Sequence, residues 1–391
     1  MMGYAELPLH DGHVPRWMLR YMERLAEAIV AVIVEEYGPR ELVRRLANPY
    51  WFQAFNNAIG MDWDSSGSTT VTTAVLKKVA MRGNYGFMVA GGKGQAARRT
   101  IEELEEHGTR IAGEKAREAM RASRLAAKTD TVLLQDGYTL YHHAVILAED
   151  GTWCVIQQGM NTVKKMARRY HWLSPLNPGR ETLEPHAGIA AAEKEEAVID
   201  LTSRRSMEAR STILDLARQR PEKTLREIME AYRALRGIAP LTRWLGNNPE
   251  PRGRVIVKAY RPQQRPPRGI EKKLRIIYEA DPRSIEELIQ LRGVGPAVLR
   301  SLALVSELIY GSPVSHEDPA DTSIDPFRYA YIVGGKDGVP FPYNPRLAEE
   351  VIEFLTMVVE EARIGVNEKR RVLRRLRLLL APGRQQPRHT P

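Results

Sequence analysis

The stretch Ser284–Ile309, SIEELIQLRGVGPAVLRSLALVSELI, constrains the fold most. Two apolar-periodic runs flank a Leu-Arg-Gly-Val-Gly turn, which reads as two helices joined by a tight hairpin. Ser284 stands at an N-cap position, and Glu287, three residues on, completes a capping box. Ile285, Leu288, Ile289 and Leu291 mark one helical face. Val298, Leu299, Leu302, Ala303 and Val305 continue the apolar pattern in the second helix. Gly293 and Gly295 supply backbone angles that other residues resist. Pro296 falls at a first-turn position, where its missing amide costs nothing.

These residues resemble a helix-hairpin-helix motif. In that family the glycine amides and the start of the second helix grip a nucleic-acid phosphate, most often of DNA. The physics agrees, because unpaired amides at a helix N-terminus form an anion site. The resemblance implies a phosphate contact at Arg292, Gly293, Val294 and Gly295. An ordinary helical hairpin with a glycine turn would share the pattern. Phosphate contacts position a protein without reading bases, so the motif implies nucleic acid but no reaction.

The charge balance fits a polyanion partner. Across 391 residues the net charge is +10, and the excess is not confined to one tail. A soluble basic protein with no such partner would look the same on this count. Hydrophobic residues make up 43% and charged ones 27%, the range of soluble globular proteins, and the length suffices for two or three domains. Cys154 is the only cysteine, which rules out an intrachain disulfide and a cysteine-rich zinc site and fits a reducing interior. The opening MMGYAELPLHDGH carries acids and a proline where a signal peptide needs an apolar core. The apolar run within AEAIVAVIVEEYG is too short to span a bilayer. The expectation is a cytoplasmic protein without a membrane partner.

The expected fold class is α+β. Residues 1–190 form a mixed α/β domain with a small antiparallel sheet, and 191–269 a helical connector with a Pro/Arg-rich linker. Residues 270–365 form an all-helical hairpin domain, and 366–391 a basic helix with a disordered tail. A helix over Trp17–Tyr37 ends at Gly38-Pro39, and another covers Val71–Arg82. Tyr85–Ala90, Val132–Leu134, Leu140–Leu147 and Thr152–Gln158 read as strands, the last two joined by an Asp150-Gly151 hairpin turn. Val255–Ala259 reads as a short strand inside the linker.

The densest cluster of reactive side chains lies between Asp130 and His186. Core strands rarely gather so many polar groups without a partner for them. Asp130, Asp136, His142, His143 and Gln158 are the expected catalytic residues. Asp130, Asp136 and His143, joined by Asp62, are the expected ligands of a magnesium or manganese ion that would position water for phosphodiester hydrolysis. Antiparallel pairing should bring one histidine and one glutamine onto a shared face, about 5 Å apart at their β-carbons. A solvated hairpin edge with one satisfied histidine is the plainer alternative. The serines and threonines that follow Asp62 and Asp64 serve as helix caps or as a phosphate site. Gly91-Gly92-Lys93-Gly94 lacks the Walker pattern, which leaves Lys93 as a nucleic-acid phosphate contact beside Arg168 and Arg169.

Helix-hairpin-helix DNA glycosylases carry an aspartate after a Gly-Pro-Val-like turn beyond the hairpin. Gly311-Ser312-Pro313-Val314 followed by Asp318 and Asp321 is similar. The family's lyases carry a lysine just after the hairpin, where this chain has Ala297, and the departure argues against lyase chemistry. Taken whole, residues 1–365 resemble an uncharacterised conserved family known mainly from archaea and thermophilic bacteria. The motifs that carry this are DGHVPRW, PYWFQAFNNAIGMDWDSSGSTT, AGGKG, LQDGYTLYHHA, VIQQGMN and ARRYHW. That family is defined only as a domain of unknown function. The first expectation for function is a DNA-binding protein of repair or recombination acting as a metal-dependent nuclease. The alternative is a non-catalytic nucleic-acid-binding protein, architectural or RNA-associated; a monofunctional DNA glycosylase stands third.

Overall fold

Asp150 and Gly151 reverse the chain between its two longest strands. Gly151 takes a φ of 91°, a conformation that favours glycine. Asp150 accepts the Thr152 amide at 2.9 Å, which closes the turn. In chain order the strands are β1 (Phe87–Lys93), β2 (Leu134–Gln135), β3 (Thr139–Ala148), β4 (Trp153–Asn161), β5 (Met166–Leu173), β6 (His186–Ala190) and β7 (Ile199–Asp200). One sheet has the order β1-β3-β4-β5-β6, and β2 pairs with β7 separately. β5 and β6 run antiparallel, with Tyr170 opposite Ile189.

The computed structural model describes residues 14–61, 66–237, 249–322, 333–336, 338 and 342–361. Asp62, the other residues of its loop up to Ser65, and the expected basic helix beyond residue 365 lie outside these. The chain is mixed α/β, with a small antiparallel sheet and many helices. It divides into two compact units. No helix among the described residues is long and apolar enough to cross a membrane.

The first unit takes in residues 1–117, 144–154 and those from 324 on. Its long helix, Arg16–Ala47, breaks at Gly38, which adopts φ 81°, just before Pro39. The expected helix end at Gly38-Pro39 is therefore a kink. Asn48 caps the next helix, Pro49–Ala58, by accepting the amides of Tyr50 and Trp51 at 2.9 and 3.2 Å. A third helix, Gly67–Arg82, packs on the first and on β1. Leu25, Val30, Leu42, Phe52 and Leu76 are fully buried.

The second unit comprises residues 118–143 and 155–323. A single apolar cluster runs through it and includes Leu125, Val132, Leu201, Ile213, Ile228, Ile256, Leu274, Leu288, Val294, Leu299 and Val314. The connector expected at 191–269 and the hairpin region from 270 thus share one core and do not separate at residues 190 or 269. The physical reason is that helices Met207–Arg218 and Pro221–Leu235 are amphipathic, and Pro296–Leu308 supplies the surface that covers their apolar stripes.

Two local expectations are corrected. Val255–Ala259 belongs to a helix, Pro249–Tyr260. Its β-branched residues suggested a strand, but Ile256, Ala259 and Tyr260 are buried at helical spacing, and packing overrides propensity. Val132 and Leu133 belong to a single π-helical turn, Thr129–Leu133, and only Leu134–Gln135 is strand. The hairpin helices form as expected, over Ile285–Gln290 and Pro296–Leu308. Ser284 accepts the Glu287 amide at 3.1 Å, and Glu287 reaches back to the Arg283 amide at 2.7 Å.

Candidate functional site

Alternation along β3, β4 and β5 puts His143, Gln157, Arg168, Tyr170 and Trp172 where the 118–138 segment can meet them. Asp130 enters from the π-helical turn. Its carboxylate accepts the Gln157 amide at 2.5 Å, the Trp172 indole at 3.0 Å and the His186 ring at 2.6 Å. Gln157 in turn offers its carbonyl to His143 Nδ1 at 2.8 Å, and the Ser123 hydroxyl meets His143 Nε2 at 2.7 Å. This arrangement assigns one proton to His143, on Nδ1, with Ser123 donating to Nε2. Burial pushes the His143 pKa below its ordinary value, which keeps the ring neutral. One histidine and one glutamine therefore do share a face. The glutamine is Gln157; Gln158 bonds the Tyr141 hydroxyl instead.

A second buried constellation centres on Arg168. Its guanidinium donates to Asp136 at 2.9 Å and grips Asp318 with two hydrogen bonds, at 3.0 and 2.6 Å. It also lies over the Tyr138 ring, 4.5 Å from the centroid. The Tyr170 hydroxyl donates to Asp136 at 2.7 Å. Burial opposes the charge on Arg168, yet Asp136 and Asp318 hold its pKa above the ordinary value. Burial raises the Asp136 pKa, with Arg168 opposing it. Burial likewise pushes Tyr138 up to about 12.

These geometries decide what the expected residues can do. Arg168 and Arg169 are 0% and 1% exposed, so neither reaches a nucleic-acid phosphate. Burial lowers the Arg169 pKa to about 9, and its Nε donates to His171 at 2.8 Å. Asp130, Asp136 and His143 face protein donors and acceptors at their ligating atoms, and no group of three or more metal-binding side chains converges among the described residues. Of the expected magnesium or manganese ligands, the three among the described residues, Asp130, Asp136 and His143, do not fit an ion as they stand, because it would first have to displace Gln157, His186 or Arg168. His142 is buried on the opposite face of β3 from His143. The glycosylase-like Asp318 is held by Arg168 and by the Glu195 amide at 2.6 Å, so it does not stand ready as a base.

Lys93 is exposed, but the adjoining glycine loop already holds an anion. Glu103 accepts the Gly91 amide at 2.8 Å and the Lys77 ammonium at 2.6 Å. A cleft of about 1000 Å³ opens over Lys194, Arg205, Ser315 and His316. Its His316 is fixed between the Val198 carbonyl and Glu307.

The turn between the hairpin helices differs from all of these in being open. Arg292 and Gly293 are exposed, and Gly293 adopts φ 89°. A β-carbon added at Gly295 would meet nothing within 4 Å. The Val294 amide bonds the Leu291 carbonyl at 3.2 Å, and those of Val298 and Leu299 bond Gly295 at 3.0 and 3.2 Å. The amides of Gly293, Gly295 and Ala297 have no hydrogen-bond partner among the described residues. The Lys128 ammonium reaches the Val294 carbonyl at 3.5 Å, which brings a further cation to the turn.

A family described as "Protein of unknown function (DUF763)" matches residues 3–343, most of the chain. The chain belongs to the DUF763 family. No curated protein and no solved structure matches it. For this DUF763 chain the function therefore has to be read from its own side chains. Sequence reasoning passed over Ser123, Trp172 and the pairing of Arg168 with Asp318. Burial of Arg168 was the hardest to foresee, since an Arg-Arg pair reads as surface. The strict alternation in Arg168, Tyr170 and Trp172 was the signal available.

Proposed function

We propose that this DUF763 protein binds nucleic acid, foremost DNA, through the Leu291–Ala297 turn. The observation that carries the reading is the set of partner-free amides at Gly293, Gly295 and Ala297, beside exposed Arg292, at the start of a 13-residue helix. Such amides point positive ends outward, and the helix dipole adds to them. Net charge of +10 supports the same partner. The favoured form is a binding protein without hydrolytic chemistry of its own, since the buried acids are committed to protein partners.

The test is fluorescence anisotropy of the full chain with labelled duplex and single-stranded DNA. Binding should be present at low salt and weaken steeply as salt rises. Absence of binding at low salt, or affinity that does not change with salt, would remove the reading. Cleavage of the same DNA with magnesium or manganese added would overturn its non-catalytic part.

A further inference from the structure

Residues 261–269 connect helix Pro249–Tyr260 to helix Ile270–Ala280 of the second unit, and the first residues of the latter helix carry the segment on to Arg275. The sequence reads 261–269 as part of a linker. The structure anchors the segment on the hairpin at both ends. Near its start, Gln263 Nε2 donates to the Ala297 carbonyl and the Ser301 hydroxyl, each at 3.2 Å, and to the Tyr232 hydroxyl at 2.5 Å. Ala297 lies in the first turn of the second hairpin helix. Towards its other end, the aliphatic part of Lys273 lies 3.9 Å from where a Gly293 β-carbon would stand. Ile270 and Leu274 bury beside Leu288 and Val294 in one core.

Along this segment the chain carries an unusual charge. Arg261, Arg265, Arg268, Lys272, Lys273 and Arg275 face a single acid, Glu271, which pairs with Arg275 at 2.8 Å. Arg261, Arg265, Arg268 and Lys272 are exposed. Pro262, Pro266 and Pro267 fix three backbone φ angles, so little order remains to be gained when a ligand binds. A set of exposed like charges on a stiff segment has no stabilising role of its own, since mutual repulsion opposes it.

We propose that the Arg261–Arg275 arm and the hairpin turn form one continuous cationic surface that follows several consecutive phosphates of a nucleic-acid strand. The inference rests on the hairpin reading given above. The amides of Gly293 and Gly295 hold one phosphate, and Arg261, Arg265, Arg268 and Lys272 meet its neighbours along the backbone. The contacts are sequence-independent.

The experiment compares salt dependence of binding to a labelled DNA duplex for three full-length proteins. These are the parent, the arm variant Arg261→Gln/Arg265→Gln/Arg268→Gln, and a control with the same charge change at exposed Arg180, Arg204 and Arg205. Loss of three phosphate contacts lowers the slope of log affinity against log salt by about 2.7. The fall in affinity between about 50 and about 200 mM salt should then be roughly 40-fold smaller for the arm variant than for the parent. The control should keep the parental slope. An arm variant with the parental slope, or a control that changes as much as the arm variant, would overturn the arm while leaving the hairpin reading intact. A parent that does not bind at all would remove both.

Discussion

Arg168→Ala should destabilise the protein by about 3–5 kcal/mol, the range found when one partner of a buried ion pair is removed. Arg168 is fully buried, and its single cation pairs with two buried carboxyls, Asp136 and Asp318. Truncation leaves both without their cation and opens a cavity beneath Tyr138. The deficit should depend on pH. Burial already raises the Asp136 pKa even with Arg168 opposing it. An acid whose folded pKa is raised contributes stability that is full below its unfolded value and is lost as pH rises through the folded one. Without Arg168 that upward push loses its largest opponent, leaving only the hydrogen bonds from Tyr170 and the Tyr138 amide, so the variant should approach the parent as acid protonates Asp136. Urea unfolding at about pH 7 and about pH 4.5 reads both effects. A variant within about 1 kcal/mol of the parent at neutral pH would show that the cluster is open to water.

Gly295→Val should cut DNA affinity at least tenfold, about 1.4 kcal/mol, without loss of stability. Gly295 is in extended backbone, φ −136° and ψ −177°, a region any residue adopts. A β-carbon there has no atom within 4 Å apart from its chain neighbours, so a side chain can start at this position without a clash. The added isopropyl group instead occupies the space through which a phosphate must approach the Gly295 and Ala297 amides. Gly293→Val is a less clean test, because φ 89° strains any L side chain whatever room surrounds it. Equal affinity in a folded Gly295→Val protein would return the turn to ordinary helix packing.

How far the sequence was readable depends on whether information was local. The hairpin helices, the Asp150-Gly151 turn and the Gly38-Pro39 break each rest on residues within a few positions, and all three appear in the structure. The pairing of one histidine and one glutamine on a shared face followed from strand alternation and the turn position. Which glutamine it would be depended on register, and a one-residue difference moves a side chain to the other face. Burial was not local. Asp130 and Asp136 look alike in sequence, yet one accepts Gln157, Trp172 and His186 and the other an arginine. Asp318, 150 positions beyond Arg168, is brought to it only by the fold. The same holds for the arm, whose prolines and arginines read as linker until Gln263 and Lys273 fix it to the hairpin.

The most direct test of the hairpin clamp is a glycine-selective ¹⁵N NMR titration of the full chain with a short DNA duplex. Gly293→Ala and Gly295→Ala proteins identify the two resonances. A phosphate accepting hydrogen bonds from the turn should move the Gly293 and Gly295 amide signals in proportion to DNA bound, while Gly151, in the strand turn, stays in place. Binding that saturates with both hairpin signals unmoved would contradict the clamp.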